Sequence, residues 1–329
     1  MSFLYSGVIL LDNILYGRKY RVLVADDKTT ALDVSNLRVV FKIEKLPSAV
    51  ANYAEIKIYN LREETETGII NESTRVIVEA GYDGYYTQTI NGTEFTYIAN
   101  QYGVIFEGEI IQYIREKEDN VDHVLTLVCC DGNSFLSDNI ISMTVNAGQN
   151  KRQIINTISQ KSLIPSEIGR VSPDISSQRL PRGKVIFGEP KKYLRDIARE
   201  SNGEFFIEDG RIYIQRSTDV PPGQTLVISP TSGLIGTPEQ TQEGISFRTL
   251  LDPRIKLFTM IKIDNSYIQQ IRQQRGQYQL ILDQNGQYQA YKITHVGDSR
   301  GLEWYTEVEG VGRYGKCPAF LFDQSQAPN

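Results

Sequence analysis

The chain has 329 residues, of which 40% are apolar and 23% are charged, and its formal net charge is −5. This length supports two or three domains with sizeable cores, and the acidic balance argues against a protein whose main role is to grip nucleic acid. Nineteen Tyr and twelve Phe beside one Trp and three Met favour sheets over helical bundles.

The N-terminal apolar stretch has no Lys or Arg ahead of it, and Asp12 interrupts it. This pattern fits neither a signal peptide nor a membrane span, so we expect cytoplasmic synthesis and no stable membrane insertion. The three cysteines, Cys129, Cys130 and Cys317, lack the spacing of a zinc site. We expect Cys129 and Cys130 to be small buried residues on opposite faces of one strand.

The front of the chain alternates apolar and polar residues, which predicts strands. The predicted strands are 17–26, 36–46, 54–61 and 74–84. Asn60 followed by Glu63 is an Asn version of the capping box and predicts a short helix over 61–69. Segments 102–114 and 123–132 then predict an antiparallel pair around a charged turn.

The middle of the chain has a mixed pattern. The segment 146–162 predicts a helix begun by Asn150. Pro190 opens a second predicted helix, which Asn202-Gly203 closes. A hairpin follows over 204–216, and its turn is Asp209-Gly210, the residues that a type I′ turn prefers. We therefore expect a small α+β unit here, followed by a linker at 219–224.

The rear of the chain returns to strands. They are predicted at 244–250, 258–264 and 302–312, with a long hairpin over 276–298 that turns at Asn285-Gly286. Between the first two, Asp252-Pro253 predicts a short corner, in which Asp252 caps a turn and Pro253 is its first residue.

The rear strands can be aligned with the front strands in the same order. The matched pairs are 55–61 with 244–250, 76–78 with 261–263, Gly103 at a predicted hairpin turn with Gly286, and 125–132 with 305–312. Thr126 then falls on Thr306 and Val128 on Val308. We interpret this as a duplication, in which the Asp252 corner is a contracted form of the Asn60 turn. The alternative is that any two antiparallel β domains can be aligned in partial register.

These observations predict a mainly β fold with two pseudo-equivalent antiparallel β-barrels on either side of a small α+β domain. The predicted units are 1–140 for the first barrel, 141–222 for the α+β domain, 223–316 for the second barrel, and 317–329 for a polar C-terminal tail.

The sequence offers little that could carry catalysis. His123 and His295 lie at the ends of predicted strands without the carboxylate partners of a metal site, so we expect ordinary strand-end histidines. Glu107 and Glu109 share a strand face, as the two carboxylates of a glycosidase pair could, but a solvated hairpin face explains them better. We expect no catalytic, metal or cofactor site. The Gln-rich segment 269–289 is equally consistent with a drifted loop and with an assembly surface.

Three stretches of the sequence resemble a known family. They are AEIKIYNL at 54–61, YLRDIARESNGEFFIEDGRIYI at 193–214, and GLIGTPEQTQEGISFRTLLDPRIKLFTMIKI at 233–263. The chain resembles, over about residues 15 to 315, the central baseplate hub proteins of contractile-tailed phages. That group is related to late-control gene D products and to the front half of VgrG-type secretion spikes.

The resemblance implies a structural, non-enzymatic homotrimer in the tail baseplate of a virion, assembled in the host cytoplasm. Each chain would give two tube-like barrels, so that three chains place six similar units around a DNA channel and join a six-fold tail tube to a three-fold spike. The implied partners are a separate spike protein, the tail tube or a tube initiator, and other baseplate proteins. A tape-measure protein is a further candidate, and DNA would be present only in transit.

Two other functions stay open at this point. One is a tail-associated peptidoglycan hydrolase that uses a carboxylate pair, which would clear a suspension of purified cell wall. The other is a receptor- or carbohydrate-binding β protein, which would bind glycans or cells as an isolated chain.

Overall fold

The computed structural model describes residues 7–11, 15–25, 31–90, 93–99, 101–118, 122–173, 175, 179–216, 218–219, 225–241, 244–268, 270–271 and 285–312. Strands dominate these ranges and helices are few, which confirms the predicted mainly β class. Among the described helices, none combines the length and the apolar character that a membrane span requires.

The front of the chain is almost entirely strand. Its elements are β1 (Gly7–Leu11), β2 (Arg18–Ala25), β3 (Ala31–Asp33), β4 (Val39–Lys45), β5 (Tyr53–Tyr59), α1 (Glu63–Glu72), β6 (Arg75–Tyr82), β7 (Tyr85–Ile90), β8 (Thr93–Ala99), β9 (Gln101–Glu118) and β10 (Asp122–Cys130). Strands β1, β8 and β7 form a small separate sheet that the sequence pattern did not predict.

The middle of the chain forms the predicted α+β unit. Its elements are α2 (Asn133–Ser137), β11 (Ile141–Val145), α3 (Lys151–Lys161), β12 (Glu167–Val171), β13 (Lys184–Gly188), α4 (Pro190–Glu200), β14 (Glu204–Glu208) and β15 (Arg211–Gln215). Asn150 caps α3 in a reciprocal capping box with Gln153. The β14–β15 turn has positive φ at Asp209 and Gly210, as a type I′ turn requires.

The rear of the chain returns to strands. Its elements are β16 (Leu226–Ile228), β17 (Leu234–Gln240), β18 (Gly244–Leu250), β19 (Met260–Ile263), a 3-10 turn (Asn265–Tyr267), β20 (Gln270–Ile271), β21 (Gln287–Asp298) and β22 (Trp304–Gly312). The Asp252-Pro253 corner is a turn, because the Asp252 carboxylate accepts the N–H of Arg254 at 2.9 Å. Of the predicted hairpin at 276–298, residues 276–284 lie outside the described ranges, as does most of the Gln-rich segment.

The same strand order occurs twice. In the front module, neighbouring strands run β4-β5-β10-β9-β6, and every pairing is antiparallel. In the rear module the order is β17-β18-β22-β21-β19, again antiparallel throughout. A bulge interrupts the β9–β10 ladder at Ile111 and the equivalent β21–β22 ladder at Tyr291. The two modules therefore share one topology.

One pairing joins the modules. Strand β4 pairs with β21 in an antiparallel register from Val40–Asp298 to Lys45–Ile293. Since β21 pairs first with β19 and then with β4 along the same edge, the two modules form one continuous sheet. Closure of each module into its own barrel is not part of the described pairing and stays a prediction.

Three apolar clusters form the cores. The first lies in the front module, around Phe41, Ile56 and Leu127, and it also takes in Leu251 and Trp304 from the rear of the chain. The second lies in the middle unit and the third in the rear module, and the third includes Phe206 of β14. Side chains thus cross between units, and the predicted domain boundaries stay a prediction.

Two details of the sequence interpretation are wrong. Helix α1 has Arg62 at its N-cap, with no side-chain capping bond. Asn60 instead adopts φ of 56° and bonds the carboxylate of Asp122 and the N–H of His123. Gly103 lies inside β9 and forms no turn, whereas Gly286 has a φ of 65° just before β21.

Candidate functional site: a paired-charge sheet face and two strand edges

One face of the continuous sheet carries regularly spaced charges. On β18, β22, β21, β4 and β5, residues that alternate with the core residues point away from the apolar clusters. Nine of them are charged. Asp298 pairs with Arg38, which lies just before β4. We call the other eight the paired-charge face: Lys42, Glu44, Glu55, Lys57, Arg248, Lys292, Glu307 and Glu309.

Each cation of the paired-charge face has a carboxylate partner within the set. Lys42 Nζ lies 2.6 Å from Glu44 Oε1 and Lys292 Nζ 2.7 Å from Glu309 Oε1. Lys57 Nζ lies 3.4 Å from Glu55 Oε1, and Arg248 bonds Glu307. Four cations and four anions cancel, so the face is polar but carries no net charge.

The titration behaviour of this face follows from the pairing. The hydrogen bond and the charge of Glu44 raise the pKa of Lys42, and the charges of Glu307 on β22 and Glu55 on β5 raise it further. The hydrogen bond that Arg248 donates to Glu307 likewise raises the pKa of Arg248. The ion pair of Arg38 and Asp298, at 2.7 Å, continues the pattern at the end of β4. The cations of this face therefore interact with carboxylates on several strands.

Of the strand edges that lack a partner within the part of the chain that the structure describes, two lie in the repeated modules. Strand β9 pairs with β6 only as far as Glu109, and its last residues, 111–118, have β10 on one side alone. Strand β17 pairs with β18, but β20 covers only its last two residues, which leaves 234–238 with an open edge. Pro238 and the positive φ of Gly236 are typical of an edge strand.

A buried charged cluster lies where the three units meet. Lys45 of β4 is fully buried and places Nζ 2.8 Å from Asp209 and 3.3 Å from Glu208 of the middle hairpin. Lys256 of the rear part bonds the other oxygen of Asp209. Asp131, at the end of β10, accepts the N–H groups of Asp209 and Gly210 at 2.6 and 2.9 Å. We call these groups the three-unit joint.

The electrostatics of the joint favour ionised Asp209. Burial alone would raise the pKa of its carboxyl, but the two ammonium groups outweigh burial and lower the pKa to about 2. Burial raises the pKa of Asp131 to about 7, against the two N–H groups that it accepts. The joint was missed from sequence, although Lys45 lies in phase with Val39, Phe41 and Ile43, and that core position was a usable signal.

Comparison with known proteins decides what this architecture is. Residues 21–271 match the family model described as baseplate hub gp41, which is well over half of the chain. The chain belongs to this baseplate hub family. The resemblance inferred from the three sequence stretches is thereby confirmed. No curated protein matches the hub in sequence.

Solved tail proteins share the fold of the hub. The 43 kDa tail protein of prophage MuSo2 from Shewanella oneidensis has a TM-score of 0.54 at 10% identity, covering 90% of the hub and 99% of that chain. The tail protein from Neisseria meningitidis MC58 has a TM-score of 0.51 at 12% identity, covering 90% and 97%. These identities show a common fold alone. Family membership places the hub in the virion tail.

The two histidines of the hub lie in different environments. His295 is buried, and its Nδ1 lies 2.9 Å from the Thr306 hydroxyl. Burial and the nearby ammonium groups of Lys45 and Lys256 hold its pKa well below the usual range. The expectation of an ordinary strand-end residue is therefore wrong for His295, which lies inside β21. His123 is exposed near the start of β10, and strands β4 and β5 lie between β10 and the strand of His295.

The two carboxylates singled out from sequence have hydrogen-bond partners, and the two cysteines are free. Glu107 bonds Arg75, and Glu109 accepts the N–H of Ser134 at 2.9 Å, along a cleft of about 1010 Å³ between the front module and the middle unit. Cys129 is buried and Cys130 half-buried, and both are free thiols. Within the described ranges, no group of three or more His, Cys, Asp or Glu side chains is arranged to hold a metal ion.

Proposed function

We propose that three copies of this hub form a closed ring with pseudo-six-fold symmetry around a channel for DNA. The observation that carries the proposal is the repeated strand order, because a chain with two equivalent modules lets three chains imitate a ring of six. The continuous sheet supports it further, since β4 and β21 already provide one module-to-module joint inside each chain.

The open edges support the same arrangement between chains. In the module topology β4 is equivalent to β17, and β21 is equivalent to β9. The part of β21 that extends beyond β19 pairs with β4, whereas the part of β9 that extends beyond β6 has an open edge, as has the start of β17. Antiparallel pairing of β17 in one copy with β9 in the next would repeat the internal joint and satisfy both edges.

This ring explains the position of a hub in a tail. Six near-equal modules match a six-fold tail tube or its initiator, while three middle units match a three-fold spike protein, since symmetric partners dock on repeated patches. Other baseplate proteins would surround the ring, and a tape-measure protein and DNA would pass through it. In this scheme the protein is structural, has no enzymatic role, and assembles in the host cytoplasm.

The oligomeric mass tests the proposal. We expect the purified chain at micromolar concentration to have three times the 37.3 kDa mass of one copy by light scattering. We expect this mass to persist in high salt, because the proposed β17–β9 pairing between copies is made by backbone hydrogen bonds and depends little on surface ion pairs. A mass of one or two chains under all conditions would contradict the ring.

A further inference from the structure

The paired-charge face lies on the side of the sheet away from the apolar clusters. Phe41 and Ile56 point to the front cluster, while Lys42 and Glu55, which alternate with them, point the other way. In the rear module, Phe247 and Val308 point to the rear cluster, while Arg248 and Glu307 oppose them. If the ring of the proposed function closes, this face runs continuously through both modules of every chain.

The register between neighbouring strands places charges of opposite sign side by side on this face. We call this arrangement the charge lattice. Lys42 is directly opposite Glu55 on β5 and also bonds Glu44 on its own strand. Lys292 is directly opposite Glu309, and Arg248 is directly opposite Glu307. Cross-strand neighbours of opposite sign stabilise each other, so the cations are held by carboxylates fixed on the same rigid sheet.

We propose that this lattice lets double-stranded DNA pass along the sheet without binding to it, because each of the four cations is already ion-paired with one of the four carboxylates. The proposal rests on the ring of the proposed function and assigns its DNA-facing surface. A phosphate gains affinity for Lys or Arg by replacing loosely held counterions. Here it would have to displace a covalently tethered carboxylate at 2.6–3.4 Å, which offsets the gain. The face can therefore stay polar and hydrated without holding DNA.

The test removes the carboxylate charges and keeps the cations. The variant carries Glu44→Gln, Glu55→Gln, Glu307→Gln and Glu309→Gln, which preserve side-chain size and leave Lys42, Lys57, Arg248 and Lys292 unpaired. Exposed ion pairs contribute little to stability, so the fold should persist. The probe is a fluorescein-labelled DNA duplex of about 30 base pairs, followed by anisotropy in about 50 and about 200 mM salt.

We expect wild-type protein to bind this duplex weakly in both salts and the variant to bind at least about tenfold more tightly in low salt. With four phosphate contacts, the variant should lose about 100-fold in affinity between the two salts. The matched control carries Glu63→Gln, Glu64→Gln, Glu189→Gln and Glu200→Gln, which add the same charge at exposed positions elsewhere. The control should behave like wild type.

Equal binding by the two variants would show an effect of net charge alone and would overturn the inference. The inference is also overturned if the face variant does not bind the duplex, or if the wild-type protein binds it tightly. Should the fourfold variant misfold, Glu44→Gln with Glu309→Gln gives the same test with a smaller gain. Light scattering on the same samples separates the two claims. A chain that stays monomeric but gains DNA binding contradicts the ring alone, whereas a trimer that gains none contradicts this inference alone.

Discussion

Replacing Lys45 with methionine is expected to lower the free energy of unfolding by about 3–5 kcal/mol. Lys45 is fully buried, and its ammonium group lies between Asp209 and Glu208 of the middle hairpin. Methionine fits the same volume, but it leaves Asp209 with Lys256 as its ion-pair partner and takes from Glu208 the ammonium group that it faces. A buried charge without its partner costs far more than the intact pair contributes.

Urea unfolding followed by circular dichroism checks this expectation. Lys57→Met is the matched control, because Lys57 belongs to an exposed pair on the paired-charge face and should cost less than about 1 kcal/mol. Adding Glu208→Gln and Asp209→Asn to Lys45→Met should recover part of the loss, since the stranded charges are then gone. Equal midpoints for Lys45→Met and Lys57→Met would show that the joint does not hold the three units together.

Replacing Trp304 with alanine is expected to cost about 3–5 kcal/mol. Trp304 begins β22 of the rear module but is buried in the front cluster, with its ring 5.7 Å from Phe41 in an edge-to-face contact. Tyr20 makes a second edge contact, and the Arg18 guanidinium lies 5.7 Å from the ring. Removing the indole therefore opens a cavity at the contact between the two modules.

The neighbouring residue provides the control for this substitution. Tyr305 lies on the opposite face of the same strand, where the Arg248 guanidinium packs 4.2 Å from its ring centroid. Tyr305→Ala should cost about 1 kcal/mol, because little core is lost. Trp304→Phe should retain most of the stability. A Trp304→Ala variant that unfolds at the wild-type urea concentration would show that the modules pack independently.

Local signals in the sequence were sufficient for part of the fold. Helix α3 begins with the capping box of Asn150, helix α4 begins at Pro190, and the turn at Asp209-Gly210 has the predicted backbone. Each of these depends on neighbours within a few residues. The prediction that Asn60 caps α1 was wrong for the opposite reason. The Asn60 side chain forms hydrogen bonds with Asp122 and His123 of β10, a strand that is distant in sequence.

The duplication could be predicted in strand order but not in register. The sequence alignment put Val128 on Val308, whereas Leu127 is the residue that points to the front cluster as Val308 points to the rear one. Strand β10 is buried on both faces, so its sequence does not alternate and does not indicate which of its residues face the cluster. The bulges at Ile111 and Tyr291, which fix the register, are visible only in the pairing.

The candidate site was still harder to predict from sequence. An acidic composition said nothing about the positions of the charges, since the paired-charge face depends on which strands become neighbours. The exact balance of four cations and four anions arises from cross-strand pairs such as Arg248 with Glu307. Resemblance to the hub family predicted a channel but assigned no residues to its wall.

Disulfide formation between copies tests most directly the claim that two equivalent modules close a ring of three chains. Inside one chain, Val40 lies opposite Asp298. Alignment of the strand order and bulges makes Ile235 equivalent to Val40 and Glu118 equivalent to Asp298. Cysteines at 235 and 118 in the same chain should therefore meet only across copies, because seven strand spacings, about 34 Å measured along the sheet, separate β17 from β9 within a chain.

Mild oxidation of Ile235→Cys with Glu118→Cys should give linked dimers and trimers, and nothing larger, on a non-reducing gel. The control pairs Ile235→Cys with Gln112→Cys, six residues and about 20 Å further along β9, and should remain monomeric, as should wild type with its native cysteines. Linked trimers from the first variant alone are the result we predict. Unlinked monomers, or equal linking in the control, would contradict the ring.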